Sequence, residues 1–311
     1  MATIIANNVT IAYETQGDPS APAVLLVMGL GTPLTSWPRD FVDGLAELGF
    51  YVICFDNRDC GWSSKLEHLG APNLPLAYLK SRIGWPIKAP YTLHDMAEDA
   101  LGLLAGLRIA KAHLIGASMG GMIAQIMAAR APRRVLSLTS IMSSSGRHGL
   151  PGPTRAARNA LLRGPRNPKD RDAVIAHMAK TFRTIGSPAY PTSERQLLAM
   201  MEQALQRNPS ASGTARQMVA VAASGDRSAL LKTIRCPALV IHGAADPLVP
   251  LACGIDTAQS IPNAVLHVIE GMGHDLPPQL IERLLALIDV HLHGNMVARI
   301  GRVGATQRGL I

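Results

Sequence analysis

The sequence has 311 residues, 48% hydrophobic and 17% charged, and its 30 Lys and Arg outnumber 22 Asp and Glu to give a net charge of +8. This composition excludes a disordered chain, and four cysteines without a CxxC pair argue against a disulfide scaffold or a structural zinc site. No apolar run is long enough to span a bilayer, and the first eight residues lack the features of a secretory signal. The length favours one large domain, or one domain with an inserted subdomain.

The predicted elements alternate between strands and helices. Two short apolar segments around Asn7 and Asn8 predict an antiparallel hairpin at the edge of a sheet. Continuous apolar runs suit strands that are buried on both faces of a parallel sheet, and they lie at residues 24–28, 50–55, 112–116, 135–142, 238–241 and 265–269. Helical periods lie between them at 41–48, 92–107, 122–130 and 280–292. Thr92 and Asp95 form an acidic variant of the capping box. This order predicts an α/β class with helices on both faces of a mostly parallel sheet.

Residues 144–235 interrupt this alternation. They contain Pro and Gly clusters and helix-like stretches without a clear strand, so we interpret them as a helical cap inserted into a core made of residues 1–143 and 236–293. Residues 294–311 are interpreted as a basic, loosely held C-terminal tail.

The positive charge is concentrated outside the predicted core. The insertion has 15 basic and five acidic residues, the tail has three Arg and no acid, and the core is mildly acidic. A solvated helical surface is the ordinary explanation, and a field that favours anionic substrates or surfaces near an entrance is the alternative. Nucleic-acid binding is not expected, because no recognition motif accompanies these arginines.

Ser118 is the candidate nucleophile. It lies in the stretch 116–121, which fits G-x-S-x-G between a predicted strand and a predicted helix. Glycines on both sides of a serine in a tight strand-to-helix turn allow the close approach of neighbouring chain segments and expose the hydroxyl. A small-residue turn before a helix is the alternative, and the flanking strand and helix favour the nucleophile.

A serine nucleophile needs a general base and an acid that orients it. His274 follows the last predicted strand in a Gly-rich loop, whereas His113 and His242 belong to predicted strands and are expected to be structural. For the acid, Asp246 lies just past the fifth apolar run. Asp256 is a rival that belongs to the following helix, and Asp275 is expected to cap the next turn.

Two backbone N–H groups are needed to bind the oxyanion of a tetrahedral intermediate. The amide of Met119, directly after the candidate nucleophile, is the first. Leu30 is assigned as the second, because Gly29 and Gly31 on either side allow its amide to turn inward.

Several stretches with these residues match a known family, namely 27–31, 36–38, 56–63, 116–121, 246–247 and 271–274. Over residues 1–292 the sequence resembles the α/β-hydrolase superfamily, and within it the aclacinomycin methylesterase-like hydrolases. Met28-Gly29 stands where most of the superfamily has His-Gly, and Arg58-Asp59 where many members have Arg-Gly; both favour this subgroup. The resemblance implies a Ser118–His274–Asp246 triad, oxyanion donors at Leu30 and Met119, and a helical cap over the site.

The sequence therefore predicts a serine hydrolase that cleaves carboxylic esters through an acyl-enzyme, with a small-molecule ester as substrate and no cofactor or metal. Alternatives on the same scaffold are a cofactor-free perhydrolase or haloperoxidase and a carbon–carbon bond hydrolase. A ligand-binding or sensory protein is the non-enzymatic alternative. A cytoplasmic location is expected, without a membrane span, and a homo-oligomer is left open.

Methionines in the insertion suggest the character of the substrate. Met lines adaptable apolar pockets, although helical packing explains most such residues. The candidates that would bind a lipophilic acyl or alcohol group are Met178, Met200, Met201 and Met218.

Overall fold

The protein is described by a computed structural model over residues 1–83, 85–207 and 209–307. Its strands are β1 (Ala2–Ala6), β2 (Val9–Gln16), β3 (Ala23–Val27), β4 (Tyr51–Phe55), β5 (Ala112–Ala117), β6 (Val135–Ile141), β7 (Ala238–Gly243) and β8 (Val265–Ile269). They form one sheet in the order β1-β2-β4-β3-β5-β6-β7-β8, in which β2 runs antiparallel to both of its neighbours, β1 and β4, and all other pairs are parallel. The predicted strands and the sheet class are confirmed.

The hairpin at the sheet edge forms where the asparagines predict it. Asn7 and Asn8 both adopt left-handed backbone, with φ of 47° and 63°. Two such residues in sequence give the turn whose twist matches that of paired antiparallel strands. β1 and β2 therefore pair directly across it.

Helices cover both faces of the sheet. They are α1 (Arg39–Glu47), α2 (Leu74–Arg82), α3 (Leu93–Gly106), α4 (Met119–Arg130), α5 (Arg155–Leu162), α6 (Arg171–Ile185), α7 (Glu194–Gln206), α8 (Ala211–Ser224), α9 (Ser228–Leu231), α10 (Leu251–Ser260) and α11 (Ile281–Gln307). Residues of α3 and α4 pack into one apolar cluster on the sheet, and residues of α1 and α11 pack into the cluster on the opposite face. The prediction of helices on both faces is confirmed.

One predicted helix starts where expected, one extends beyond its predicted end, and one helix was not predicted. The capping box of α3 is present, because Thr92 Oγ1 accepts from the Asp95 amide and the Asp95 carboxylate accepts from the Thr92 amide. The closing helix, predicted to end at residue 292, continues through Gly294 to Gln307. The predicted tail is therefore helical up to Gln307, and residues 308–311 lie outside the described part of the chain. Helix α2 was not predicted.

Helices α5 to α9 fill the long connection between β6 and β7. No strand lies among residues 144–207 and 209–235. Helices α6 and α7 share a small apolar cluster of their own around Ala179, Leu197 and Met201. Among the residues that the structure covers, no helix is long and apolar enough to cross a membrane.

Candidate active site

Ser118 lies in a sharp turn between β5 and α4, at the carboxyl edge of the sheet. Its backbone adopts φ 56° and ψ −120°, a conformation that is costly for a residue with a side chain. Neighbouring segments hold it there through contacts that leave no room for side chains. A Cβ on Gly116 would lie 2.3 Å from the carbonyl oxygen of Gly120, and a Cβ on Gly120 would lie 1.9 Å from that of Val27. The two glycines thus allow the turn to close.

The backbone of Ser118 is fixed by residues of the neighbouring strand β6 and of the segment after it. Its amide donates to the Ile141 carbonyl at 2.9 Å, and its carbonyl accepts from Ser143 Oγ at 2.8 Å. The Ser118 side chain stays partly exposed, while Ala117 and Met119 on either side are buried. The turn therefore presents the hydroxyl above the sheet and keeps its surroundings rigid.

The structure brings Ser118, His274 and Asp246 into one hydrogen-bonded line. His274 Nε2 lies 2.9 Å from Ser118 Oγ, and His274 Nδ1 lies 2.7 Å from Asp246 Oδ2. The other carboxylate oxygen of Asp246 accepts from the amides of Leu248 and Val249, both at 2.8 Å. His274 and Asp246 are buried, so water does not compete for these hydrogen bonds.

A second histidine packs beside the acid without entering this line. His242, in β7, has its Nε2 2.7 Å from the Val249 carbonyl and 3.8 Å from Asp246 Oδ2. Burial lowers the pKa of His242, which keeps the ring neutral with its proton on the nitrogen that faces Val249. His242 thus fixes the loop that carries Asp246 and adds no positive charge beside the carboxylate, in agreement with its predicted structural role.

The loop that carries His274 is held by the last residue of α6 and the segment that follows it. The His274 amide donates to the Ile185 carbonyl at 2.7 Å, and the Gly273 amide donates to Ser187 Oγ at 2.8 Å. The Ser187 hydroxyl in turn donates to the Asp275 carboxylate. The expectation that Asp275 caps the next turn is wrong, because the turn at Pro278–Leu280 has no side-chain cap and the Asp275 carboxylate instead accepts from Ser187, 88 residues away.

Burial raises the pKa of Asp275, and hydrogen bonds from Ser187 oppose this shift. The rival acid Asp256 lies in α10, as expected, where it pairs with Arg147 and accepts from Ser145. Neither carboxylate contacts the imidazole of His274 in the described structure. Asp246 is thus the carboxylate that the fold brings to the histidine.

The two assigned oxyanion donors come from two segments next to Ser118, the start of α4 and the loop that contains Gly29. The Met119 amide is at the first position of α4, where no helical carbonyl is available to it. Gly29, just before Leu30, passes so close that a Cβ on it would lie 3.2 Å from Ser118 Cβ. Neither the Leu30 nor the Met119 N–H has a protein acceptor among the described residues. Both amides are free to bind a ligand oxygen.

The loop around Leu30 is fixed by side chains from two directions. Asn57 Nδ2 donates to the Met28 carbonyl at 3.0 Å. Gln217, in α8, accepts from the Gly31 amide at 2.8 Å and donates to the Arg58 carbonyl at 2.7 Å. Sequence reasoning missed Gln217, because no local pattern links a glutamine in a helix to a loop 186 residues earlier.

The candidate methionines occupy different surroundings. Met201 is buried in the cluster between α6 and α7, and Met178 and Met200 pack against that cluster. Met200 also lines a cleft of about 390 Å³ with Leu34 and Trp37. Met218 is half-buried in α8. Packing between helices accounts for Met178 and Met201, and Met200 is the candidate that also faces open space.

Buried ion pairs join the insertion to the core beside this site. Arg216 in α8 donates through two nitrogens to Asp59, both at 2.8 Å, and Tyr91 Oη donates to the same carboxylate. Arg207, just after α7, donates to Asp56 at 2.9 Å. These contacts bury part of the positive charge of the insertion, which the sequence assigned to a solvated surface.

The charges in this junction are compensated inside the protein. Burial alone would raise the pKa of Asp59, but hydrogen bonds from Arg216, Leu66 and Tyr91 hold it below its usual value. The bond to Asp59 raises the pKa of Arg216.

A third buried arginine, Arg227, donates to the carbonyls of Gly225 and Ser144, and burial lowers its pKa to about 10.

Comparisons with known proteins identify the family of this chain. The profile of a family described as alpha/beta hydrolase fold matches residues 22–278. Rhodomycin D methylesterase from Streptomyces peucetius is 27% identical over 93% of this chain and 96% of its own length. The 3-oxoadipate enol-lactonase 2 from Acinetobacter baylyi is 27% identical over 86% of this chain and 88% of its own length.

Solved structures share the fold. The enol-lactonase from Burkholderia xenovorans LB400 superimposes with a TM-score of 0.72 at 24% identity, covering 94% of this chain and 100% of that one. A meta-cleavage product hydrolase from Pseudomonas fluorescens IP01 superimposes with a TM-score of 0.73 at 21% identity, covering 94% and 98%. At these identities the likeness establishes the architecture and no particular substrate.

Proposed function

The chain belongs to the alpha/beta hydrolase fold family, and from this premise we propose that it is a serine carboxylesterase that acts on small-molecule esters. The observation that carries the proposal is the line from Ser118 through His274 to Asp246, with heavy-atom distances of 2.9 and 2.7 Å. The methylesterase and the enol-lactonase, which match over most of this chain, support hydrolysis of a carboxylic ester.

In the proposed acylation step, Ser118 Oγ attacks the ester carbonyl while His274 Nε2 takes its proton. Asp246 holds the proton on Nδ1 and stabilises the imidazolium that forms. The negative charge that develops on the carbonyl oxygen is bound by the amides of Leu30 and Met119. Collapse of the tetrahedral intermediate breaks the bond to the alcohol, and His274 returns the proton to the leaving oxygen.

Deacylation repeats these roles with water as the nucleophile. His274 removes a proton from the water as it attacks the acyl carbon, and Ser118 leaves with that proton. The acid is released and the enzyme returns to its starting state. All proton transfers use residues already in hydrogen-bond contact, and the proposal needs no metal or cofactor.

The insertion is proposed to act as a cap that binds the lipophilic part of the substrate. Met200 lines a cleft with the apolar residues Leu34 and Trp37, and this cleft reaches Leu276, two residues after His274, without being lined by Ser118 or His274. Its apolar lining is what supports an apolar acyl or alcohol group. All four cysteines are free and buried, which supports a reducing, cytoplasmic location.

Ser118→Ala is the direct test. We expect ester turnover to fall by about 10⁶-fold, because loss of the nucleophile leaves only binding and the oxyanion donors. A fluorophosphonate should label wild type at Ser118 and leave the variant unlabelled, with unchanged circular dichroism. Ser143→Ala is the matched control: it removes a nearby hydroxyl that bonds the Ser118 carbonyl and should keep labelling. Folded wild type that resists the reagent would favour a ligand-binding protein.

A substrate panel separates the reactions that this scaffold supports. Esters that vary in acyl length and alcohol bulk are compared with acetate-dependent peracid formation and with a vinylogous 1,5-diketone for carbon–carbon cleavage. We expect ester hydrolysis to have the highest kcat/KM. A preference for the diketone or for peracid formation would contradict the esterase assignment while leaving the triad in place.

A further inference from the structure

Helix α2 presents large apolar side chains to solvent. Leu76, Leu79 and Ile83, at the i, i+3 and i+7 positions of one helical face, are 48%, 57% and 51% exposed. Trp85 and Tyr78 beside them are 63% and 48% exposed. Ala77 is the residue that this turn of the helix buries. An ordinary surface helix buries its large apolar side chains. Helix α2 instead exposes them and buries a small one, and such an exposed apolar surface suits a partner.

The residues around this surface carry positive and no negative charge. Residues 68–94 contain Lys80, Arg82 and Lys88 and no acid. The flanking acids are already bonded: Glu67 accepts from two serine hydroxyls of the insertion, and Asp95 belongs to the capping box. Anionic groups could therefore approach without repulsion.

Helix α5 extends the same surface. Arg158 Nη1 lies 3.5 Å from the hydroxyl of Tyr78, which places α5 beside α2. Residues 144–169 contain six basic residues and no acid, and Arg155, Arg163 and Arg166 are exposed. We call these three arginines the basic flank, and Leu76, Tyr78, Leu79, Ile83 and Trp85 the α2 face.

We propose that the α2 face docks on the surface of an anionic lipid bilayer, with the basic flank against the headgroups. Exposed aliphatic side chains, a Trp and a Tyr at the rim, and Lys and Arg without acids are the combination that binds such an interface. A second copy of this chain is a poorer partner, because two such faces would bring like charges together.

The position of the α2 face gives the docking a use. Helix α2 packs against α8, and Gln217 of α8 accepts from the Gly31 amide next to Leu30, so α2 lies one helix away from the loop that carries an oxyanion donor. A docked protein would bring this loop close to the bilayer, in which lipophilic esters dissolve. This use rests on the proposed function, whereas the docking itself does not depend on catalysis.

Vesicle co-sedimentation tests the docking with the full chain. We expect wild type to bind vesicles of phosphatidylglycerol and phosphatidylcholine, to bind pure phosphatidylcholine at least tenfold more weakly, and to lose affinity as salt is raised. Ser118→Ala should bind equally well, which separates docking from catalysis. Wild type that stays in solution with both vesicle types would overturn the proposal.

Two sets of substitutions identify the contributing residues. Leu76→Ser, Leu79→Ser and Ile83→Ser together should weaken binding by about 100-fold or more, because three apolar side chains that would be buried in the bilayer on docking are lost. Arg155→Gln, Arg163→Gln and Arg166→Gln together should weaken it by about 100-fold on anionic vesicles, at roughly fivefold per charge. Hydrolysis of a dissolved short-chain ester should be unchanged in both.

The matched controls lie at the opposite edge of the sheet. Lys111 and Arg133 are exposed and precede β5 and β6, and Val265, 53% exposed, begins β8. Lys111→Gln with Arg133→Gln, and separately Val265→Ser, should leave vesicle binding unchanged. An equal loss in these controls would show nonspecific adsorption and contradict the proposal.

Tryptophan emission provides a readout that does not depend on the multiple variants. Trp37 is buried and Trp62 lies under the Arg207 guanidinium at 4.1 Å, so Trp85 is the reporter on the α2 face. Anionic vesicles should shift the emission to the blue, and brominated lipids should quench it; Trp85→Phe should abolish both effects. Concentration-dependent dimers that disappear with the Leu and Ile substitutions, without vesicle binding, would instead assign the face to self-association.

Discussion

The two residues that meet in the proton transfer are supported by different parts of the molecule. The backbone of Ser118 is held by residues of the core alone, through glycine contacts with β3 and hydrogen bonds with the Ile141 carbonyl and the Ser143 hydroxyl. His274 lies on a loop whose amides donate to Ile185, at the end of α6, and to Ser187 just after it, both in the insertion. The serine position is therefore a property of the sheet, and the histidine position is shared between the sheet and the insertion.

This difference suggests how the insertion can affect turnover without contacting the reacting atoms. Gln217 reaches the oxyanion loop and Ser187 reaches the histidine loop, and both belong to the insertion. Arg216 and Arg207 anchor the same insertion to the loop after β4. Changes in the insertion should act on the histidine and on the oxyanion donors, and leave the serine turn intact.

Arg216→Met is expected to have the largest effect. It leaves the Asp59 carboxylate buried without its cation, which costs about 3–5 kcal/mol in the free energy of unfolding. Urea unfolding measures the loss, and Asp59→Asn with Arg216→Met should recover much of it. Arg195→Met, at an exposed position of α7, is the control, with a change within about 0.5 kcal/mol. Equal losses at both sites would contradict the anchoring role.

Gly120→Ala tests the contacts that hold the Ser118 turn. A Cβ here would lie 1.9 Å from the Val27 carbonyl oxygen, so the turn must shift. We expect a loss of stability of about 1–3 kcal/mol and a loss of kcat of about 100-fold. Gly152→Ala, where a Cβ meets nothing within 4 Å, should leave both unchanged. Unchanged kcat in Gly120→Ala would mean that the turn tolerates displacement.

Ser187→Ala tests the hydrogen bonds that hold the His274 loop. It removes the acceptor of the Gly273 amide and the donor to Asp275, at a cost of about 1–3 kcal/mol. We expect kcat to fall about tenfold with KM little changed, and the acidic limb of the kcat–pH profile to move, while fluorophosphonate still labels Ser118.

The matched control for this variant is Ser193→Ala. It removes the N-cap of α7, at a similar cost of about 1 kcal/mol, without contacting the histidine loop. Its kcat and pH profile should match wild type. The same fall of kcat in both variants would assign the effect to lost stability. It would contradict the conclusion that the insertion positions His274.

Acid unfolding should give the smallest effect. The pKa of Asp59 is below its usual value, so its ion pair stabilises the fold above the unfolded-state pKa of about 3.9 and loses this effect as pH falls through the folded-state pKa. The stability difference between wild type and Asp59→Asn with Arg216→Met should be constant above about pH 4 and shrink as the pH falls further toward the folded-state pKa. A constant difference would exclude Asp59 as the titrating group.

Local signals in the sequence predicted much of the fold. Asn7-Asn8 specify the hairpin turn, Thr92 and Asp95 specify a helix start, and apolar runs mark strands, because each feature depends on neighbours within a few residues. The order of Ser118, Asp246 and His274, each after a strand, predicted which side chains meet at the carboxyl edge. The structure brings those three together.

The contacts that position these residues could not be predicted in the same way. Ser187 and Asp275 are 88 residues apart, and Arg216 and Asp59 are 157 apart, so no periodicity connects them. Helix α2 was missed because its apolar residues face solvent, against the usual pattern. The end of α11 was misplaced because Gly294, a residue that commonly ends helices, lies inside this one.

The place of the insertion in the chain also affects how the protein is made. Strand β6 pairs with β7, but residues 142–237 must be synthesised between them. At roughly 5–20 residues per second, the ribosome needs about 5–20 s for this stretch. During that time the nascent sheet has an open edge at β6 and contains Ser118 without Asp246 or His274. The hydrogen-bonded line of Ser118, His274 and Asp246 can therefore form only after His274 has been synthesised, 156 residues after Ser118.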